Sequence, residues 1–266
     1  MGESITGNKS ARLFVILAGV FIANALIAEI IGVKIFSLEK TLGIEPLRIR
    51  ILGNELSVNL TAGVLLWPVV FIMTDIINEY YGPKGVHFLS FLTAALIAFA
   101  FVIFYLAMRL APADFFVTSR VGSGVPDMEK AYHSVLGQGA FIILGSLTAF
   151  LLAQLIDVFV FHRIKRRTGE RRIWLRATGS TLVSQFIDSF VVLFIAFYVG
   201  TRINASKDDF VWPLGLFLSV GVVNYIYKFL VAIILTPVIY LVHGWIERYL
   251  GEELSTQMKR AAMGQR

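Results

Sequence analysis

Cysteine is absent from the chain. Disulfides, thiolate metal sites and a cysteine nucleophile are therefore excluded. Charge is scarce too: 16% of the residues are Asp, Glu, Lys or Arg, against about 25% in a soluble domain. Histidine occurs only at His87, His133, His162 and His243, without metal-ligand spacing, so neither a metal site nor a cofactor is expected. No glycine-rich loop runs into Lys-Ser or Lys-Thr, which removes a phosphate-cradling ATP site. Gly122-Ser123-Gly124 lacks the five-residue elbow of a serine hydrolase. One enzyme reading survives these absences, an intramembrane aspartyl enzyme pairing two of Asp75, Asp157 and Asp188.

What is abundant is apolar sequence. Apolar residues make up 57% of the 266, and the mean hydropathy is +0.75; a soluble domain carries about 45–50% apolar residues. The excess sits in long runs that a water-soluble core does not need. A span of the hydrocarbon layer takes about 20 residues, and six runs qualify: Leu13–Val33, Leu60–Tyr80, Gly85–Met108, Gly139–Phe161, Thr178–Val199 and Trp212–Val242. The expected fold is an all-α polytopic membrane protein, a single domain over residues 1–266 with no room for an appended soluble enzyme. The first run exceeds the ~7–15 residues of a signal-peptide core, and no small-residue cleavage pattern follows it. It is read as a span.

The connections set an orientation. Between His162 and Arg176 seven residues are Lys or Arg, the excess that marks a cytoplasmic connection. With six spans, both termini then lie inside, and the cytoplasmic side carries 14 basic residues against 9 outside. The net charge of +6 is thus orientation charge rather than a nucleic-acid surface. Between spans one and two, Leu47–Ile51 and Leu56–Leu60 alternate in polarity around Gly53-Asn54, a pattern that predicts a short extracytoplasmic hairpin. Asp127–Leu136 predicts a short surface helix. Gly145, Ala149 and Ala153 recur every four residues, which lets helix backbones approach closely. That stripe packs either within the bundle or between the two copies of a homodimer.

Ionisable groups inside spans cost about 2.5–3.5 kcal/mol each at the helix centre, so they persist where a cavity or a partner receives them. Asp75, Asn78 and Glu79 stand at i, i+3 and i+4 and share one helical face. Gln154 and Asp157 in span four repeat as Gln185 and Asp188 in span five, within Gln-Leu-Ile-Asp and Gln-Phe-Ile-Asp. Asn224 and Lys228 stand one turn apart in span six, and span one carries Asn24 and Glu29. Blander roles exist for several: Glu79 at interfacial water, Asp157 paired with the basic segment, Asp188 paired with Lys228. Polar groups on so many spans nevertheless fit a hydrated interior that binds a substrate.

At Thr74-Asp75-Ile76-Ile77-Asn78-Glu79-Tyr80-Tyr81-Gly82 the chain resembles the queuosine-precursor transporters, also called the vitamin uptake transporter family. Asp157–Phe161, Trp174-Leu175-Arg176, Ser180-Thr181 with Gln185 and Asp188, and Lys228 followed by Thr236-Pro237 extend the resemblance over about Asn24 to Val242. Trp67-Pro68 stands where Phe-Pro is expected, an exchange that keeps the aromatic ring. The resemblance implies uptake of 7-cyano-7-deazaguanine, 7-aminomethyl-7-deazaguanine or queuine across the inner membrane. It also implies a six-helix fold similar to the substrate-binding subunits of energy-coupling-factor transporters, in most members without an ATPase. The chain is expected to meet the lipid bilayer and a small-molecule deazaguanine and no nucleic acid; docking on a separate ATPase complex is the rival. A deazaguanine presents N–H and NH₂ donors on one edge, which a carboxylate accepts as a pair. Asp75, Glu79 and Asp188 are the candidates for that edge or for carrying a coupled proton, with Tyr80, Tyr225 or Trp67 stacking on the base.

Overall fold

The computed structural model describes residues 8–137, 139–168, 173–203 and 211–263; Arg171 and Arg172 of the basic segment lie outside them. Five stretches of the described chain are helical, long and apolar enough to cross a membrane. The protein is mostly helical and polytopic. The first helix, α1 (Lys9–Ile31), starts where the Asn8 side chain accepts the Ala11 N–H at 3.1 Å, an N-cap that satisfies an otherwise orphaned donor. Its 23 residues extend about 35 Å at 1.5 Å each, enough for a hydrocarbon layer of about 30 Å.

A small extended region follows. It comprises β1 (Ile35–Ser37), α2 (Leu38–Leu42), β2 (Ile49–Ile51), β3 (Asn54–Leu56) and β4 (Asn59–Thr61). β2 pairs antiparallel with β3, opposing Ile51 to Asn54. The turn is therefore centred on Leu52-Gly53, one residue before the expected Gly53-Asn54. Both have positive φ, 48° and 80°, as a primed hairpin turn requires. β4 leaves that hairpin and pairs with β1. Glu39, only 1% exposed, locks α2 to this pair: its carboxylate accepts the Val58 N–H at 2.7 Å and the Ser37 hydroxyl at 2.9 Å. The Val58 amide in particular holds this carboxyl below the usual glutamate range. Because Asn59–Thr61 is a strand and Ala62–Leu65 a 3₁₀ turn, the second run becomes helical only at Trp67 rather than Leu60.

α3 (Trp67–Ala107) is broken at Gly82, whose φ of 68° and ψ of −171° are not helical. Only glycine enters that backbone region readily, and Pro83 then opens the second arm, where its missing N–H costs nothing. Beyond the short α4 (Asp114–Val117), the surface helix expected over 127–136 forms as α5 (Met128–Leu136), capped by Asp127 accepting the Lys130 N–H at 2.9 Å. α6 (Ala140–Thr168) carries Arg163, Lys165, Arg166 and Arg167 of the basic segment, so those residues extend a helix rather than forming a loop. α7 (Ile173–Leu193) continues through a π-helical turn at Phe194–Val199 into α8 (Gly200–Ile203). α9 (Leu214–Leu250), eight residues longer than expected at its C-terminal end, is followed by α10 (Glu252–Ala262).

α1 and both arms of α3 form one apolar core with Phe150 and Val158 of α6 and Ile246 and Met258 near the C-terminus. The small-residue stripe lies inside this bundle: a Cβ on Gly145 would sit 3.1 Å from the Val192 carbonyl and 3.2 Å from the Ala196 amide. Outside, Phe88, Phe99, Phe159 and Ile234 are at least 60% exposed, an apolar surface that suits lipid. The two ends differ. At one end the strands meet α9, where Ser219 Oγ lies 3.0 Å from the Ile51 carbonyl. At the other, the Gly82 break packs against Ala262 of α10, 3.0 Å from where a Cβ would stand, beside the basic ends of α6 and α7.

Candidate functional site

The site grows from one face of α7. Ser180, Thr181, Ser184, Gln185, Asp188 and Ser189 recur at three- and four-residue intervals, so they share a side of the helix. That side faces α3 and α6. Thr181 Oγ1 lies 3.5 Å from Asp75 Oδ2, and Ser184 Oγ lies 3.0 Å from Asp157 Oδ1. From α3, Thr74 Oγ1 lies 2.9 Å from Gln154 Oε1 on α6. Asp75, Asn78, Gln154 and Asp157 are completely or almost completely buried, which demands partners for every polar atom. Several atoms have none among the described residues: Asp75 Oδ1, Asp157 Oδ2, Gln154 Nε2, Gln185 Nε2, Asn78 Nδ2 and Ser189 Oγ.

Two cavities adjoin this face and share Val64, Trp67 and Lys228 as a partition. The inner one lies between α3, α7 and α9, is mostly apolar, and receives Asp75, Gln185 and Lys228. Its free volume of about 40 Å³ matches roughly three water molecules. The outer one, about 400 Å³, lies between α1, α6, α7 and α9 and reaches Ile35 and Thr61 of the strands. Glu29, Asp188, Ser189 and Asn224 line it with Lys228. An Asp188–Lys228 ion pair stands at the partition.

Toward the basic end a buried ion-pair cluster stands in the interior. Lys165 Nζ lies 3.0 Å from Glu79 Oε2, and Arg176 donates to Glu79 Oε1 at 2.8 Å, with all three side chains 1% exposed. Glu79 therefore does not reach interfacial water. Asp157 is held by Ser184 instead of the basic segment. Asn78 Oδ1 lies 2.7 Å from His162 Nε2, and the Tyr80 hydroxyl 3.1 Å from His243 Nδ1. Tyr80 is thus committed to packing beside α9, and Tyr225 stands edge-on to Phe186; of the three candidate stacking rings, Trp67 alone lines either cavity.

The sequence-derived residues thus separate into groups. Asp75, Gln185 and Lys228 meet at the inner cavity; Asp188, Asn224 and Lys228 at the outer one. Asn78, Gln154 and Asp157 form a buried polar layer between helices, and Glu79 belongs to the ion-pair cluster. Sequence reasoning missed Lys165 and Arg176 as interior residues, because basic residues in that segment read as orientation charge. It also missed the hydroxyls of α7, whose signal was their helical spacing beside Gln185 and Asp188. Among the described residues no group of three or more His, Asp or Glu side chains is arranged to hold a metal ion.

Long apolar helices around a polar interior with cavities between them are an arrangement that suits a membrane transporter. Residues 61–242 match the family described as "Putative vitamin uptake transporter", and the chain belongs to that family. It is 29% identical over 184 residues to a "Probable queuosine precursor transporter" of Bacillus subtilis, covering 68% of this chain and 70% of the relative. It is 29% identical over 177 residues to the "Queuosine precursor transporter" of Escherichia coli, covering 65% and 68% respectively. A "Probable queuosine precursor transporter" of Haemophilus influenzae is 26% identical over 199 residues, 71% of each chain. No solved structure matches. The family is one of transporters, so the protein is not an enzyme and the aspartyl-enzyme reading falls away.

Proposed function

We propose that this protein imports a queuosine precursor bearing a 7-deazaguanine base across the inner membrane, with both termini in the cytoplasm. The two arms of α3 are separate passes, which makes six. Forty-one residues as one straight helix would extend about 62 Å, twice the ~30 Å layer, and the Gly82 break divides them into a shorter first arm and a longer second one. The base enters through the outer cavity and slides its donor edge past Trp67, the inner cavity widening from about 40 Å³ to receive it. Asp75 accepts the ring N–H and exocyclic NH₂, Gln185 donates to the base carbonyl, and the Trp67 face stacks on the ring. The Glu79–Lys165–Arg176 cluster keeps the cytoplasmic side closed until the base has bound.

The observation that carries this reading is the pair of buried, unpartnered atoms, Asp75 Oδ1 and Gln185 Nε2, on one cavity wall. An acceptor and a donor without partners cost about 1–3 kcal/mol apiece, a cost that a ligand with the complementary edge removes. The apolar remainder of the wall suits the flat faces of a base. The relatives' names point to a queuosine precursor, and the 7-deazaguanine base is what the family resemblance of the sequence implies. The test is competition for uptake by an analogue lacking the exocyclic amine. Losing a hydrogen bond to a charged group should weaken it at least about tenfold against the parent base, and Asp75→Asn should narrow that gap. Equal competition by both compounds against wild type would remove Asp75 from the reading of the base.

A further inference from the structure

A third cavity lies at the basic end, away from the two that adjoin α7. Its free volume is about 780 Å³, larger than the outer cavity's about 400 Å³. It opens where the Gly82 break of α3, the last turns of α6 and Ala262 of α10 meet. No Asp or Glu is among its lining residues, whereas Lys84, Arg163 and Arg166 are. All three are exposed, and none has an ion-pair partner among the described residues. Lys165 also reaches the wall, but Glu79 neutralises it. Pro83 and Lys84 begin the second arm of α3, so the positive end of that helix dipole adds to the same potential.

An excess of Lys and Arg at one end orients a membrane protein by its count alone and requires no arrangement. Here there is one. Leu155, Phe159, Arg163 and Arg166 recur at four-, four- and three-residue intervals, so they form one stripe along α6. Phe159 is 69% exposed and Leu155 36%. The stripe thus runs from apolar side chains that suit lipid tails to two unpaired guanidinium groups. Lys84 and the exposed Phe88 repeat the pattern one turn apart on the second arm of α3. A cationic end that continues into an exposed apolar wall complements an amphiphile with a negative head. A soluble anion would use the cations and leave the wall unused.

We propose that this groove binds one anionic phospholipid, its phosphate held by Lys84, Arg163 and Arg166 and an acyl chain lying along Phe159 and Leu155. Arginine suits a phosphate because its planar fork donates two parallel hydrogen bonds. The lipid bridges α3 to α6 beside the Gly82 break, and the site is independent of what the protein carries.

The test is native mass spectrometry of the full chain in detergent, titrated with dioleoylphosphatidylglycerol or dioleoylphosphatidylcholine. The tails are identical, so the ratio of affinities reads the headgroup. A cation near an anionic headgroup contributes about fivefold, and wild type should bind one phosphatidylglycerol at least about 25-fold more tightly than phosphatidylcholine. Arg163→Gln combined with Arg166→Gln should lower that ratio to about fivefold. Lys84→Gln alone should divide it by about five, and decides the matter should the double variant not accumulate. Arg248→Gln, exposed but outside the groove, should leave the ratio unchanged. Equal affinity for the two lipids in wild type overturns the site. So does an equal fall with Arg248→Gln, which would make the preference one of general surface charge. If inorganic phosphate at the lipid's own concentration displaces phosphatidylglycerol, the groove takes a soluble anion and the lipid assignment is overturned.

Discussion

Glu79 sets one negative charge against two cations, Lys165 and Arg176, in a place closed to water. The cluster is net positive, so its members are not equivalent. Removing Glu79 leaves two buried cations facing each other, whereas removing Lys165 leaves a neutral Glu79–Arg176 pair. Breaking a buried pair by deleting one partner costs about 3–5 kcal/mol. Glu79→Gln should therefore destabilise the protein by about that much, and Lys165→Met by clearly less. Thermal midpoints in detergent give the order; a Lys165→Met variant less stable than Glu79→Gln would mean that the lysine, rather than the carboxylate, organises this end. The sequence pointed to Glu79 as an intramembrane carboxylate because its helical position is readable. Its partners were not readable, since a lysine in a positively charged connection looks the same whether it faces water or folds back into the bundle.

At the scale of elements, the break in α3 decides how the family-like Thr74–Gly82 segment is presented. Gly82 has a backbone conformation that essentially only glycine adopts, and a Cβ there would stand 3.0 Å from the Ala262 carbonyl. Gly82→Ala should cost about 1–3 kcal/mol and loosen α10 from α3, read as a lower thermal midpoint together with faster proteolysis after Leu250. An unchanged midpoint would show that the break tolerates a side chain. The long helices were legible because apolar runs of about 20 residues have few other uses. Their ends were less so. The start of the second run reads as apolar, yet Asn59–Thr61 pairs with β1, a long-range contact that no local pattern announces. The seryl and threonyl face of α7 stayed hidden for another reason: small hydroxyls can bond back to their own helix, as Ser184 does to the Thr181 carbonyl at 3.0 Å, and so are weak markers of a polar interior.

For the whole molecule, the absence of native cysteine makes the proposed orientation directly measurable. Lys165 is a poor reporter because it is buried; Arg166 is exposed at the basic end and Arg50 at the strand end. In intact cells Arg166→Cys should resist a membrane-impermeant maleimide and Arg50→Cys should react. The reverse pattern would invert the topology and with it the direction in which the cavities open. The transport claim itself is met most directly by expressing the chain in a strain that can neither make nor import queuosine precursors, supplying labelled 7-aminomethyl-7-deazaguanine, and measuring queuosine in transfer RNA. The expected result is queuosine restored by wild type and strongly reduced by Asp75→Asn at equal protein in the membrane. No queuosine with wild-type protein present in the membrane, for this precursor, the cyano compound and queuine alike, would contradict it.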